Sequence, residues 1–544
     1  MTQSGANKKS YLHGATVLAA AVAIVKVIGA VYRIPIGNIL GDVGMSTFQV
    51  TFSIYQFLLI ISTAGLPVAL SKLVAAADAL DRPAQVRRVF LVGRNTFVTL
   101  GLVSFLIMAV FHQQLADFFG SPSAAYGILA LSPAVFFVGL SSAYRGYCQG
   151  LSDMVPTSVS QVIEALIRLV LGLGLAGLFA YWGLQLPITV AGAILGVTVG
   201  TALAAGYLFF AKRNVDRLRH TPDGLDTPDS NRRIFRNLRN IAIPLTLGAS
   251  VFQLINIINN AVILRRLQSA TGLSQEVAQS LHGTFTMTTS QFNLPSSFII
   301  PIAIAMIPAI SAAIAQGDSE GAKNTSESGI RVACLLALPA GAGLMVLAGP
   351  IMDVLYYGEF AAAYGAGLMA WMGAAAFFIC FFQATNCVLQ AYGFQRFTMY
   401  TLPVGGAISV GLNWVLLANP NISIYGAAIS TLACYAIISI MNMVLVKRYI
   451  PKPPSFRKIL LRPLLCTIAM AATAWVVYGL ISGVLFGMLA YVPTRVPLAL
   501  SLAGAIGLAM VVYLVLIIVT RALTKEDMYM LPKGKKLAKL LRVR

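Results

Sequence analysis

Charge is what this chain has least of. Only 10% of its 544 residues are charged, where a soluble globular chain carries roughly 25%. Acids are scarcer still, 18 Asp and Glu against 39 Lys and Arg. These shortages leave no room for a soluble domain. Strict apolar/polar alternation is missing from the apolar runs, which excludes a β-barrel. No GxxxxGK[ST] stretch occurs, so a P-loop does not hydrolyse ATP on this chain. The four histidines are dispersed, and neither a metal site nor a cofactor is expected. The six cysteines (Cys148, Cys334, Cys380, Cys387, Cys434, Cys466) form no CxxC pair and read as reduced, helix-packing thiols. No small-residue cleavage site follows Lys8 and Lys9, so no cleavable signal is expected.

What is present is apolar length. Runs of about 18 residues or more, enough to cross a ~30 Å hydrocarbon core, recur from end to end. They predict an all-α polytopic membrane protein with about 14 transmembrane helices, the first two over 12–35 and 46–74 and the last over 496–520. With the N-terminus in the cytoplasm, cytoplasmic tails, loops and span edges hold 32 of the 39 basic residues, and the outer side holds three, Arg265, Arg266 and Arg495. This asymmetry obeys the positive-inside rule and predicts both termini inside. The basic excess is therefore topological rather than a nucleic-acid signature, with attraction to anionic inner-leaflet lipid as a by-product.

Two basic stretches punctuate the chain. They suggest a six-helix lobe over 1–211, a cytoplasmic linker over 212–240, a second six-helix lobe over 241–446, a linker over 447–462, two further helices within 463–520, and a basic tail over 521–544. The two lobes look weakly repeated. LPVALS (66–71) echoes IPAIS (307–311), each downstream of a Gln-Phe pair at 56–57 and 291–292. Paired repeats with Gly- and Pro-interrupted helices characterise alternating-access transporters; chance similarity among apolar segments is the alternative.

Four cations interrupt the spans: Lys26, Arg33, Lys72 and Arg168. An intramembrane cation costs at least ~2.5–3.5 kcal/mol and normally faces a partner or a watery cavity, which suggests an anionic cargo. Lys26 and Arg33 are seven residues apart, on one helical face, with Gly29 and Pro35 permitting a bend. Together they suit phosphate oxygens; otherwise Arg33 snorkels outward and Lys26 pairs with a fixed acid. Glu164 and Arg168 stand at i, i+4 and can neutralise each other, or Glu164 is a coupling or gating site that exchanges Arg168 with cargo. Lys72 either snorkels to inner headgroups or contacts cargo. Amides dominate elsewhere: Gln253, Asn256 and Asn260 along the seventh span, Gln291 and Asn293 in the eighth, Gln383 and Asn386 in the tenth. They either glue helices together or line a polar cavity suited to sugars and peptides.

Three stretches carry a resemblance: VKVIGAVYRIPIGNILGD (25–42), STAGLPVALSKLV (62–74) and YRGYCQGLSDMVPTSVSQVIEALIRL (144–169). They resemble the stage V sporulation protein B and YtgP branch of the polysaccharide flippases, relatives of MurJ in the MOP superfamily. The resemblance implies a lipid II flippase of the bacterial plasma membrane, moving the undecaprenyl-diphosphate-linked peptidoglycan precursor from the inner to the outer leaflet by alternating access. It implies two lobes around a cationic cavity and a lipid-tail groove on the last two helices. A monomeric transporter is expected, and with no P-loop its transport step must draw on an ion gradient, the membrane potential or downstream consumption of cargo. This sequence departs from the Gram-negative pattern: Tyr32 is as eligible as Arg33 for the second basic position, Thr47 and Phe48 stand where an acid would fall, and Thr289, Ser290 and Gln291 where an arginine would. The rival readings are a flippase for another polyprenyl-linked oligosaccharide, a drug/cation antiporter, and a membrane enzyme using polyprenyl substrates. Against the last, the outer acids Asp42, Asp117, Glu276 and Glu359 form no cluster.

Overall fold

Long apolar stretches with no water to satisfy their backbone must hydrogen-bond within themselves, and helices do so. The structure, a computed structural model, describes residues 3–63, 65–218, 226–488 and 494–523. The side chains of Lys8 and Lys9, the linker centre 219–225 and the basic tail from 524 onward lie outside the described residues.

Two compact units divide the chain. The first comprises residues 1–265 with 274–279, the second 266–273 with 280–544. The first contains α1 (Gln3–Thr63), α2 (Leu66–Asp78), α3 (Pro83–Val110), α4 (His112–Phe118), α5 (Ala124–Gly150), α6 (Val155–Tyr181), α7 (Leu186–Leu218) and most of α8 (Asn231–Thr271). The second contains nearly all of α9 (Gln275–Ala315), then α10 (Ser319–Val346), α11 (Ala348–Leu355), α12 (Glu359–Ala391), α13 (Thr398–Leu416), α14 (Tyr425–Tyr449), α15 (Phe456–Met488) and α16 (Arg495–Val519). Compactness thus divides the chain within α8, whereas the division at 212–240 follows the basic linker.

Among the described residues, twelve helical stretches are long and apolar enough to cross a membrane, and the chain is a multi-pass membrane protein. The expected number was fourteen. One stretch, Ala20–Asp78, covers the first two expected spans, and α8 is not among the twelve. Helix α1 runs through Pro35 and breaks at Gly41, whose φ of 66° suits a residue without Cβ. The second expected span is also interrupted, because Pro67 occupies the first turn of a new helix, α2.

Each unit has its own core. In the first, Leu70, Phe90, Phe97, Tyr144, Tyr147, Leu208 and Ile234 join α2, α3, α5, α7 and α8. Acids of the basic linker fasten its end: Asp226 accepts from the backbone N–H groups of Ala84 and Gln85 at the start of α3, and Asp229 accepts from the Gln85 side chain. In the second unit, Cys466, Met470, Tyr513 and Ile517 pack α15 and α16 against α10, where the Tyr513 hydroxyl donates to the Leu335 carbonyl at 2.9 Å. All six cysteines are free, five of them buried.

Candidate functional site: cations on α1 and α6

Helix α6 is held by unusually close backbone contact with α7. A Cβ on Gly196 would lie 2.4 Å from the Gly172 nitrogen, and one on Gly200 would lie 2.9 Å from the Glu164 carbonyl oxygen. Small residues permit this approach, and it is a characteristic membrane-helix contact. It fixes the α6 face that carries Glu164 and Arg168. Tyr32 of α1 is buried beside it, donating to the Ala193 carbonyl of α7 at 3.3 Å.

Arg168 reaches from α6 onto α1. Its guanidinium stands 5.7 Å from the centroid of the Tyr32 ring, and its Nη2 lies 3.6 Å from where Gly29 would carry a Cβ. Gly29 is three residues after Lys26 and four before Arg33, so the Arg168 guanidinium stands between those two cations along one helical face. The Arg33 guanidinium in turn lies 5.8 Å from the Phe48 ring. Phe48 stacks on Phe52 at 4.7 Å and stands 6.3 Å from Tyr32. Aromatic faces attract cations while leaving the N–H edges available to an anion. Lys26 is exposed, with no hydrogen bond or ion pair among the described residues. The Arg168 Nε is buried without an acceptor.

The expected Glu164–Arg168 pair is not formed. Glu164 is paired instead with Arg145 of α5, whose Nη2 donates to its carboxylate at 3.2 Å. Ser160 fixes the same arginine by accepting from its Nε at 3.0 Å. The sequence reading missed Arg145 because it lies near the end of an apolar span, where a basic residue is ordinarily an inner-edge cation. Its spacing opposite Ser160 and Glu164 appears only when α5 and α6 are folded together.

The other expected residues are placed apart. Lys72 is exposed on α2, and among the described residues no hydrogen bond or ion pair involves it. On α8, Asn260 donates to Ser53 of α1 at 3.2 Å and to the Asn256 carbonyl at 2.9 Å, while Gln253 is half-buried. In the second unit Gln291 is buried and donates to the Tyr356 hydroxyl at 2.9 Å. Asn293 is exposed and donates to the Thr289 carbonyl. Asn386 bonds the Thr398 hydroxyl, and the Gln383 Oε1 is buried without a donor. The three cations expected outside rest on aromatic rings: Arg265 on Phe118, Arg266 on Trp414 and Arg495 on Tyr357.

The all-helical, multi-pass fold is the one seen in membrane transporters of the MOP superfamily. The profile of the family described as "Polysaccharide biosynthesis protein" matches residues 11–314, and that of MatE matches 283–415. The chain belongs to the polysaccharide biosynthesis protein family. It is 24% identical over 528 residues to the stage V sporulation protein B of Bacillus subtilis (strain 168), covering 96% of this chain and 98% of that one. It is also 24% identical over 519 residues to the lipid II flippase MurJ of the same organism, covering 92% and 94%. A solved structure of lipid II flippase MurJ in an inward closed conformation superposes with a TM-score of 0.69 at 12% identity, covering 93% of this chain and 98% of that one. An inward-facing MATE multidrug transporter superposes at 0.64 and 15% identity, covering 79% and 93%.

Proposed function

We propose that this protein is a lipid II flippase of the bacterial plasma membrane, carrying the undecaprenyl-diphosphate-linked precursor outward by alternating access and catalysing no covalent step. The observation that supports this most is the Arg168 guanidinium standing between Lys26 and Arg33 with its Nε lacking an acceptor. A buried donor left unsatisfied costs about 1–3 kcal/mol, and a diphosphate would satisfy it. Arginine forks and a lysine point charge together match phosphate oxygens. Lys72, exposed midway along α2, is assigned to headgroup contact. Gln253, Asn256, Asn260, Gln291, Asn293, Gln383 and Asn386 remain candidates for the sugars and peptide, and Glu164 for gating. The transport step draws on membrane potential or an ion gradient. The working unit is a monomer with both termini in the cytoplasm, where basic tails meet anionic lipid.

The test is lipid II translocation by purified protein in liposomes, with and without an imposed potential or ion gradient. Wild type is expected to flip, while Lys26→Ala and Arg168→Gln, folded normally, lose at least about tenfold in rate, since truncating a desolvated charge contact costs about 2–5 kcal/mol. Flipping unchanged in both variants would remove the α1–α6 cations from the mechanism. No flipping under any gradient would shift the reading to another polyprenyl-linked oligosaccharide, to be tried with polyprenyl-diphosphate sugars in turn.

A further inference from the structure

Arg168 has an acid one helical turn away, yet does not use it. Residues at i and i+4 on a helix are neighbours, and a glutamate N-terminal to a basic residue is the favourable order. Left to α6 alone, Glu164 would capture Arg168. The structure shows why it does not: Glu164 is held by Arg145 across the α5–α6 contact at 3.2 Å. That arginine is itself aimed by Ser160, which accepts from its Nε at 3.0 Å and donates to the Thr157 carbonyl at 2.7 Å. Ser160 is fully buried, and the Arg145 and Glu164 side chains are 15% and 26% exposed, so the pair is only weakly screened by water. We propose that Arg145 is a positioning residue: by occupying Glu164 it keeps the Arg168 guanidinium turned onto α1, between Lys26 and Arg33, and available to the anionic headgroup.

This rests on the reading of those cations as an anion site. It assigns Arg145 no contact with cargo, and it predicts an unusual pattern of rescue. Removing Arg145 leaves a half-buried carboxylate in need of a cation, and Arg168 is the one on its own helix. Removing Glu164 as well takes away the captor and should restore the site, although two charges are then missing. A residue needed only for folding, or one that touches the cargo, would not be rescued by losing its partner.

The experiment measures binding of farnesyl diphosphate, a short polyprenyl diphosphate, to the full chain in lipid nanodiscs. The proteins compared are wild type, Arg145→Gln, Glu164→Gln, the Arg145→Gln/Glu164→Gln double variant and Arg168→Gln. Arg145→Gln is expected to weaken binding about tenfold, as a coupling of about 1.4 kcal/mol implies. The double variant should return to within about threefold of wild type by the same coupling arithmetic. A double variant as weak as Arg145→Gln, or no loss in Arg145→Gln while Arg168→Gln does lose binding, overturns the proposal. If Arg168→Gln binds the probe like wild type, the anion-site reading itself has failed, and a structure of Arg145→Gln decides the steering question without ligand. Glu164 found paired with Arg168 there upholds the role of Arg145; Glu164 left apart from Arg168 refutes it.

Discussion

The two units handle buried polarity in opposite ways. The first sets full charges on its helices and supports them with aromatic rings, as Arg168 on Tyr32, Arg33 on Phe48 and Lys212 on Phe90 show. The second keeps its charges to the ends and edges of its helices and to the Glu327–Arg331 pair of α10, and between Phe360 and Ile440 the one charged residue is Arg396. Its polar groups are amides and hydroxyls, many satisfied by their own helix. On α9, Thr284, Thr286, Thr288, Thr289 and Ser290 all donate to carbonyls three or four residues back. Such back-bonding spends a hydroxyl's proton and leaves it only an acceptor for an outside donor. The contrast suggests a division of labour, with phosphate attraction in the first unit and, if the second contacts cargo at all, neutral hydrogen bonding there.

The largest effect should come from breaking the scaffold of the charged unit alone. In Gly196→Ala the new methyl would meet the Gly172 nitrogen at 2.4 Å, which forces α6 away from α7. Overpacking of this kind costs roughly 1–3 kcal/mol. Hydrogen exchange should show lost protection in α6 and α7 with the second unit unchanged, and transport should fall because Arg168 rides on α6. Equal protection in both helices before and after the substitution would mean that the close contact is not what positions the site.

A smaller and more local effect is expected at Gly29. Its absent side chain leaves the room in which the Arg168 guanidinium lies, at a would-be Cβ distance of 3.6 Å. That is ordinary van der Waals contact, so Gly29→Ala should transport within about twofold of wild type, whereas Gly29→Leu, which fills the guanidinium's place, should lose about tenfold with little change in stability. Identical rates for the two variants would show that Arg168 does not work from this position.

How much of this could be read from sequence depends on whether the signal is local. The all-α membrane class followed from apolar run length, and the unusual cations Lys26, Arg33 and Arg168 stood out because charge is costly inside apolar runs. The break at Gly41 was not legible, since φ at a glycine is a folded-state property. The Glu164–Arg168 pair was inferred from spacing along one helix, and the structure replaced it with a contact between two helices, Arg145 to Glu164. Intrahelical neighbours are visible in a sequence; the competition between an intrahelical and an interhelical partner is not.

The smallest effect, and the one that sharpens the contrast between the units, concerns Asn442 on α14. It is fully buried, and neither its Nδ2 nor its Oδ1 has a hydrogen-bond partner. In the first unit the unsatisfied Arg168 donor is explained by an incoming anion; an amide in the neutral unit needs a different account. If Asn442 serves no ligand, Asn442→Leu replaces an unsatisfied polar group by an apolar one of similar size and should be neutral or stabilising, raising the thermal midpoint by up to a few degrees, as relief of about 1 kcal/mol would. Its lipid II translocation rate should then match wild type. A stabilised protein that no longer transports would instead place Asn442 among the groups that meet the cargo or a coupling ion, and the neutral unit would have to be read as a binding surface in its own right.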